Sequence, residues 1–322
     1  MTSGGRVGAT AMIVCLLALA VLPFVADKFT VQLVTKMMIM AIFAMSLDLL
    51  VGYTGLVSLG HAAFFGLAGY ILALSTPQYQ ASSFWISLPL AVAGAGILAL
   101  AIGSLVLRVT GVYFIMVTLA FAQMLHYIFH DTKIAGGSDG MYIYVRPDAA
   151  IFGWRPFDLE KFGDFYFVVL ALFVAVFIFL RVVLRSLFGQ VISGVHVNDG
   201  RMRSLGFATF RYKLASFVLA GMLAGVAGYL SAVQFGVVNP DLLGWHLSGS
   251  VLMMVILGGM GTLVGPILGA FAMMLLELGF QSLTKHWQLA MGVAIVLVAL
   301  LLPRGLVGLA NWRTRAKEAA DG

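Results

Sequence analysis

Long apolar stretches separated by short polar segments run through almost the whole chain. A spanning helix takes about 20 apolar residues and closes its backbone hydrogen bonds internally. The pattern predicts one all-α domain over residues 1–322, a polytopic integral membrane protein with about ten transmembrane helices, roughly eight to ten. The predicted spans cover residues 8–26, 31–52, 57–74, 84–107, 111–130, 165–184, 211–233, 250–259, 265–280 and 288–302.

Composition indicates that lipid is the solvent for much of this protein. Of its 322 residues, 61% are hydrophobic and 10% charged, whereas soluble domains carry about 25% charged residues. The net charge of +6 would suit a nucleic-acid binder in a soluble protein. Here the bases cluster beside apolar stretches, which is typical of membrane topology. The single cysteine, Cys15, cannot form an intrachain disulfide.

Two polar segments differ in charge and therefore in predicted side. Residues 181–213 contain six bases and one acid, whereas residues 131–164 contain six acids and four bases. Cytoplasmic segments are enriched in Lys and Arg. We therefore expect 185–210 to be cytoplasmic, 131–164 to be a periplasmic loop with a short strand at 141–145, and both termini to be cytoplasmic in a bacterial inner membrane.

Glycines and polar residues interrupt the apolar pattern between the second and third spans. Irregular backbone at membrane depth is tolerated where it is buried in protein or lines a water-filled cavity. The alternative is a short cytoplasmic turn of small residues, with its acidic residue reaching the interface. The candidates for a solute pathway are Asp48, Tyr53, Gly55, Ser58, Gly60 and His61.

Small residues mark two further places where helices are expected to pack closely. Gly258, Gly259 and Gly261, followed by Gly265, predict a broken or tightly packed helix pair between the eighth and ninth spans. The seventh span carries a packing face for neighbouring spans or another subunit, formed by Ala215, Ala220, Gly221, Ala224, Gly225, Ala227 and Gly228.

The cytoplasmic segment at 185–210 mixes apolar positions at helical spacing with bases, which predicts an amphipathic helix. One interpretation is a basic surface helix on anionic lipid. The other is a docking helix whose apolar face fills a groove on a cytoplasmic partner, with bases at the rim. Its coupling residues would be Gly189, Val191, Ile192, Val195, Arg201, Arg203, Leu205 and Gly206.

Enzyme chemistry has little support in the sequence. The chain lacks the G-x-x-x-x-G-K-[ST] phosphate loop and any apparent Ser/His/Asp set. His126 and His130 lie four residues apart but have no further metal ligands nearby. We therefore expect a non-catalytic protein that binds no cofactor or metal of its own.

With these motifs the chain resembles the LivH/LivM-type permeases of branched-chain amino-acid ABC importers, and more closely the LivM branch. The resemblance covers nearly the whole chain after about residue 37. It departs from the family pattern at Asp48, where the family usually has Asn. The matching segments are 51–66, 111–114, 118–121, 136–140, 205–207, 212–213, 238–241 and 256–266.

The resemblance implies a heterodimer with a second, LivH-like permease, two cytoplasmic ATPase subunits that use ATP, and a periplasmic solute-binding protein. The segment at 185–210 would receive the motion of the ATPases. The solute would be a branched-chain amino acid, or a related urea, amide or aromatic acid. The alternative is a secondary transporter or channel, which should carry several buried acids or bases in its spans. An assembly or scaffold protein would transport no solute.

Overall fold

The computed structural model describes residues 16–76, 80–150, 157–283, 285–302 and 305–308. Cys15 and the basic tail lie outside these residues. Helices dominate the described chain, which confirms the all-α prediction; the short strands β1 (Met141–Tyr142) and β2 (Val237–Val238) pair antiparallel. The helices are α1 (Leu16–Val25), α2 (Lys28–Asp48), α3 (Ala62–Ser75), α4 (Phe84–Val106), α5 (Val112–Asp131), α6 (Phe162–Arg185), α7 (Leu187–Val197), α8 (Asp199–Ser204), α9 (Thr209–Phe235), α10 (Trp245–Gly258), α11 (Gly265–Leu283) and α12 (Trp287–Leu301).

Every predicted span contains one of these helices, but their lengths differ. Six described helices are long and apolar enough to cross a membrane: α2 with its extension to Thr54, α4, α5, α6, α9 and α11. The shorter apolar helices are α1, α3, α7, α10 and α12. The protein is therefore polytopic, and the exact count of ten spans stays a prediction.

Helices α2 and α9 form the centre of the bundle. In the most apolar 18-residue window of each helix, 89% of the residues of α2 and 78% of those of α9 are buried, whereas only 22% of those of α6 are. The small-residue face of α9 explains this close packing, since a methyl group on Gly221 would lie 2.6 Å from the Ala99 Cβ in α4. The predicted packing face is thus confirmed, and its neighbours are α3 and α4 of the same chain.

The two long polar segments lie at opposite ends of α6, a helix of 24 residues that spans about 36 Å. At one end, β1 pairs with β2, and the Arg146 guanidinium donates to the carbonyls of Leu159 and Gln234. At the other end lie α7 and α8. The predicted strand at 141–145 is therefore confined to Met141 and Tyr142. Which end faces the cytoplasm stays a prediction.

Candidate functional site

The interruption between α2 and α3 is an irregular segment inside the bundle. After Asp48 the chain widens into a π-helix, Leu49–Thr54, which ends at Gly55 with a φ of +76°. Residues with a side chain rarely adopt this left-handed conformation, so glycine is required there. The chain then reaches α3 without regular structure, and Ser58 and His61 along it are fully buried. We call residues 49–62, up to and including the first residue of α3, the inner break.

Side chains from distant helices satisfy the backbone of the inner break. The Leu59 amide donates to Thr118 Oγ1 of α5 at 3.3 Å, and the Ala62 amide donates to Ser248 Oγ of α10 at 2.8 Å. A methyl group on Gly60 would overlap the Thr118 carbonyl oxygen. Buried amides need such partners because no water replaces them. The part of the inner break from Ser58 to His61 is therefore largely enclosed by the bundle, whereas Gly55 is exposed.

Asp48 joins the inner break to the glycine-rich turn between α10 and α11. Its carboxylate is buried, and Oδ1 accepts a hydrogen bond from the Gly261 amide at 2.9 Å. Among the described residues, Oδ2 has no hydrogen-bond partner. Gly52 lies so close to Gly261 that a methyl group on it would overlap the Gly261 amide nitrogen. The two interrupted helix pairs thus meet backbone to backbone.

The six pathway candidates face different neighbours. Ser58 and Gly60 border a small cavity of about 10 Å³ beside α5, which is roughly the space for one water molecule. The His61 ring instead faces α2, where Nε2 is hydrogen-bonded to Ser46 Oγ at 2.8 Å and the ring stacks on Phe43. Asp48 faces the α10–α11 turn, Gly55 faces α7, and Tyr53 is half-buried.

The apolar stripe of α7 faces this chain and not a partner. Val191, Ile192 and Val195 are at most 6% exposed and pack where α7 meets α6, α9 and the inner break. The prediction that these three side chains form the partner-facing surface is therefore wrong, because the bundle itself covers them. The exposed large apolar side chains of the segment 185–210 are Leu187, Val197, Leu205, Phe207 and Phe210.

Two glycines and two arginines complete the predicted coupling set. Gly189 is buried at the corner between α6 and α7, where a methyl group would overlap the Leu184 backbone. Gly206 has a φ of +89° and lies in the connection to α9. Arg201 and Arg203 are both exposed. The glycines therefore shape the segment, and Arg201 is available to a partner, whereas Arg203 is hydrogen-bonded to Asp199 and Thr209.

Asp199 fixes α8 against the start of α9. Its Oδ2 accepts hydrogen bonds from Arg203 at 2.7 Å and from Lys213 at 3.1 Å. Burial raises the pKa of Asp199, but hydrogen bonds from Thr209 and Lys213, with the charges of Lys213 and Arg203, outweigh it and hold the pKa below its usual value. The carboxylate therefore stays charged at neutral pH.

The last turn of α7 touches the inner break through His196. Its Nδ1 lies 3.1 Å from the Gly52 carbonyl oxygen. A methyl group on Gly55 would lie 2.8 Å from a carbon of the same ring. One side chain of the predicted coupling segment therefore reaches the predicted pathway segment directly.

Comparison with protein families matches residues 29–302 to the permease component of the branched-chain amino acid transport system. The chain belongs to this permease family. It is a multi-pass inner-membrane protein and a permease subunit of an ABC importer. The resemblance of its motifs to this family is thereby confirmed.

Individual relatives show how far the similarity extends. The high-affinity branched-chain amino acid transport system permease protein LivM of Escherichia coli (strain K12) is 30% identical over 341 residues, covering 98% of this chain and 79% of the relative. LivH of the same system and strain is 31% identical over 113 residues, 34% of this chain and 36% of LivH. The autoinducer 2 import system permease protein LsrC of Klebsiella pneumoniae is 39% identical over 93 residues, 27% of each chain. No solved structure matches the permease.

Sequence reasoning missed three residues that organise the site of this permease. Ser248, Gly261 and His196 are 186, 213 and 144 positions away from the residues they bind. Local periodicity carries no information on such pairs. The one available indication was chemical, because His196 is the single imidazole in an otherwise mostly apolar α7.

Proposed function

We propose that this permease moves branched-chain amino acids, or a related small solute such as urea, an amide or an aromatic acid, into the cell. It works as one half of a heterodimer with a LivH-like permease. Two cytoplasmic ATPase subunits bind and hydrolyse the ATP, and a periplasmic solute-binding protein delivers the solute. The match to LivM over 98% of the chain supports this assignment, and the partial match to LivH supports a paired permease.

The solute path in this proposal passes beside the inner break. The observation that carries it is irregular backbone inside the bundle, with the buried Ser58 and Gly60 at the edge of a small cavity. Such backbone is found in membranes where it is enclosed by protein or lines a path. Ser58 and Gly60 then lie on the route, whereas Asp48, Tyr53, Gly55 and His61 lie beside it and keep the break in shape.

The ATPases in this proposal dock on the exposed side of the segment 185–210. Leu187, Val197 and Leu205 are 79%, 85% and 66% exposed and offer apolar contact area, with the guanidinium of Arg201 nearby in sequence. Grooves on partner proteins commonly take apolar side chains of this kind, with charges fixing the register. This orientation places α7, α8 and both termini in the cytoplasm and residues 131–164 in the periplasm, following the charge asymmetry.

Reconstitution tests the proposal directly. The permease, its paired permease and the two ATPases are placed in liposomes, and uptake of labelled leucine, urea and phenylalanine is followed with and without ATP and the loaded binding protein. We expect uptake of at least one solute that requires both. Uptake driven by an ion gradient in the absence of ATP would instead support a secondary transporter, and no flux of any solute would favour an assembly role.

A further inference from the structure

We infer that His196 is the positioning residue through which α7 acts on the inner break, by holding the carbonyl of Gly52. This inference rests on the proposed docking of ATPases to the segment 185–210. It assigns the step that follows docking, in which a movement of α7 changes the solute path.

The contact is a hydrogen bond with a defined direction. The Gly52 carbonyl oxygen can only accept, so the His196 Nδ1–H donates across 3.1 Å. Gly52 lies in the last turn of the π-helix Leu49–Thr54, and carbonyls at a helix end have no partner within the helix. The ring therefore supplies a donor that the end of the helix lacks.

The ring also fits against a second point of the inner break. Gly55, with its φ of +76°, brings its Cα so close to the imidazole that an added methyl group would lie 2.8 Å from His196 Cδ2. Two separate points of the inner break, the Gly52 carbonyl and Gly55, thus contact one side chain. A shift of the end of α7 cannot leave both contacts unchanged.

Gly52 is also the place where the inner break meets the α10–α11 turn. The side of Gly52 that would carry a methyl group packs on the Gly261 amide, which donates to Asp48 Oδ1 at 2.9 Å. Such close backbone packing makes Gly261 a firm surface behind Gly52. A displacement of the Gly52 carbonyl therefore strains the packing of Gly52 on Gly261, which joins the two interrupted helix pairs.

Helix α7 packs on the bundle with one side and leaves apolar side chains at both of its ends open to a partner. Its buried stripe of Val191, Ile192 and Val195 holds it to the bundle, while Leu187 and Val197 at its two ends are free on the outside. His196 stands next to exposed Val197. A partner that contacts Val197 therefore binds the residue next to His196.

The test separates binding of the ATPases from transmission of their motion. The four-subunit complex with its binding protein is reconstituted with wild-type permease, His196→Ala and His196→Asn. The control is His130→Ala, which removes an exposed histidine of α5 whose Nδ1 bonds to the adjacent Asp131. Co-purification of the ATPases, stimulated ATP hydrolysis and solute uptake are measured together. The decisive quantity is the amount of solute taken up per ATP hydrolysed.

We expect His196→Ala to retain the ATPases and hydrolysis within about twofold while uptake per ATP falls about tenfold, the order of effect of one lost hydrogen bond. His196→Asn should restore it, because an Asn Nδ2 donor occupies nearly the place of a His Nδ1. His130→Ala should match wild type. A wild-type complex with no ATP-dependent uptake would refute the proposed function itself.

With an active wild-type complex, three results would overturn the role of His196 alone. These are unchanged uptake per ATP in His196→Ala, loss of the ATPases from that variant, or failure of His196→Asn to recover. The second result would make His196 a docking residue, and the third would show that packing of the ring, not its donor, matters.

Discussion

The inner break and the α10–α11 turn interrupt the membrane helices in different ways. Side chains from three other helices hold the inner break: Thr118 of α5, Ser248 of α10 and His196 of α7. Backbone packing holds the α10–α11 turn. A methyl group on Gly258 would overlap the Gly265 carbonyl oxygen, and one on Gly269 would overlap that of Met254.

This difference indicates which of the two can rearrange. Single hydrogen bonds contribute about 1 kcal/mol each and can be exchanged one at a time. Interlocked backbones have no such separable steps, because a small displacement is resisted by many atoms together. We therefore expect the α10–α11 turn to be the fixed surface against which the inner break moves.

The largest effect is expected when a bulky side chain is introduced between α10 and α11. Gly269→Leu places a side chain against the Met254 carbonyl and should destabilise the permease by about 3 kcal/mol or abolish its accumulation. Gly279→Leu, on the exposed side of the same helix with nothing nearby, should be tolerated. Thermal unfolding in detergent compares the two. Equal melting temperatures would show that the tight packing of α10 on α11 does not hold the fold.

A smaller effect is expected where the two regions are joined. Asp48→Ala leaves the Gly261 amide without its acceptor, which should lower stability by about 2 kcal/mol. Asp48→Asn keeps the Oδ1 acceptor and replaces the unpartnered carboxylate oxygen with a neutral group, so its melting temperature should equal or exceed that of wild type. If Asn were as damaging as Ala, the charge of Asp48 and not its bond to Gly261 would be what matters.

The smallest effect is expected at one neutral hydrogen bond of the inner break. Ser248→Ala removes the acceptor of the Ala62 amide, at a cost of about 1 kcal/mol. Ser250→Ala, two residues further along α10, removes a hydroxyl that bonds only within its own helix, to the His246 carbonyl. The difference between the unfolding temperatures of the two variants measures the contribution of the hydrogen bond from the Ala62 amide to Ser248. No difference would mean that the start of α3 finds another acceptor.

Hydropathy located the helices but could not order them within the bundle. The most apolar window of α6 has a mean hydropathy of 3.1 and is 22% buried, whereas that of α2 has 1.9 and is 89% buried. The windows of α5 and α11 are only 22% and 28% buried although their mean hydropathies, 1.7 and 1.5, are lower than that of α2. Apolarity therefore indicates a span without indicating the centre of the fold.

The sequence predicted where the chain between α2 and α3 is irregular, but it did not predict which residues contact that segment. Glycines and polar residues correctly marked the inner break, since Gly55 needs its left-handed backbone and Ser58 borders a cavity. The orientation of α7 was predicted wrongly, because an apolar stripe such as Val191 and Val195 looks the same whether it faces its own bundle or a partner. Only the tertiary fold decides between the two.

The central claim is that the inner break lines a path that opens and closes with the ATPase cycle. The most direct test replaces Ser58 with Cys, a nearly isosteric change, in a Cys15→Ala background that has no other cysteine. Reaction with a small, membrane-impermeant thiol reagent is followed in the complete complex with and without ATP. Ser138→Cys and Ser193→Cys, both exposed, serve as controls in the permease pair without its ATPases, where they are expected to react only from outside and only from inside.

The account predicts that a cysteine at position 58 reacts measurably faster in one nucleotide state than in the other. A cysteine that stays unreactive in every state, while the two control positions react as expected, would contradict it and reduce the inner break to helix packing.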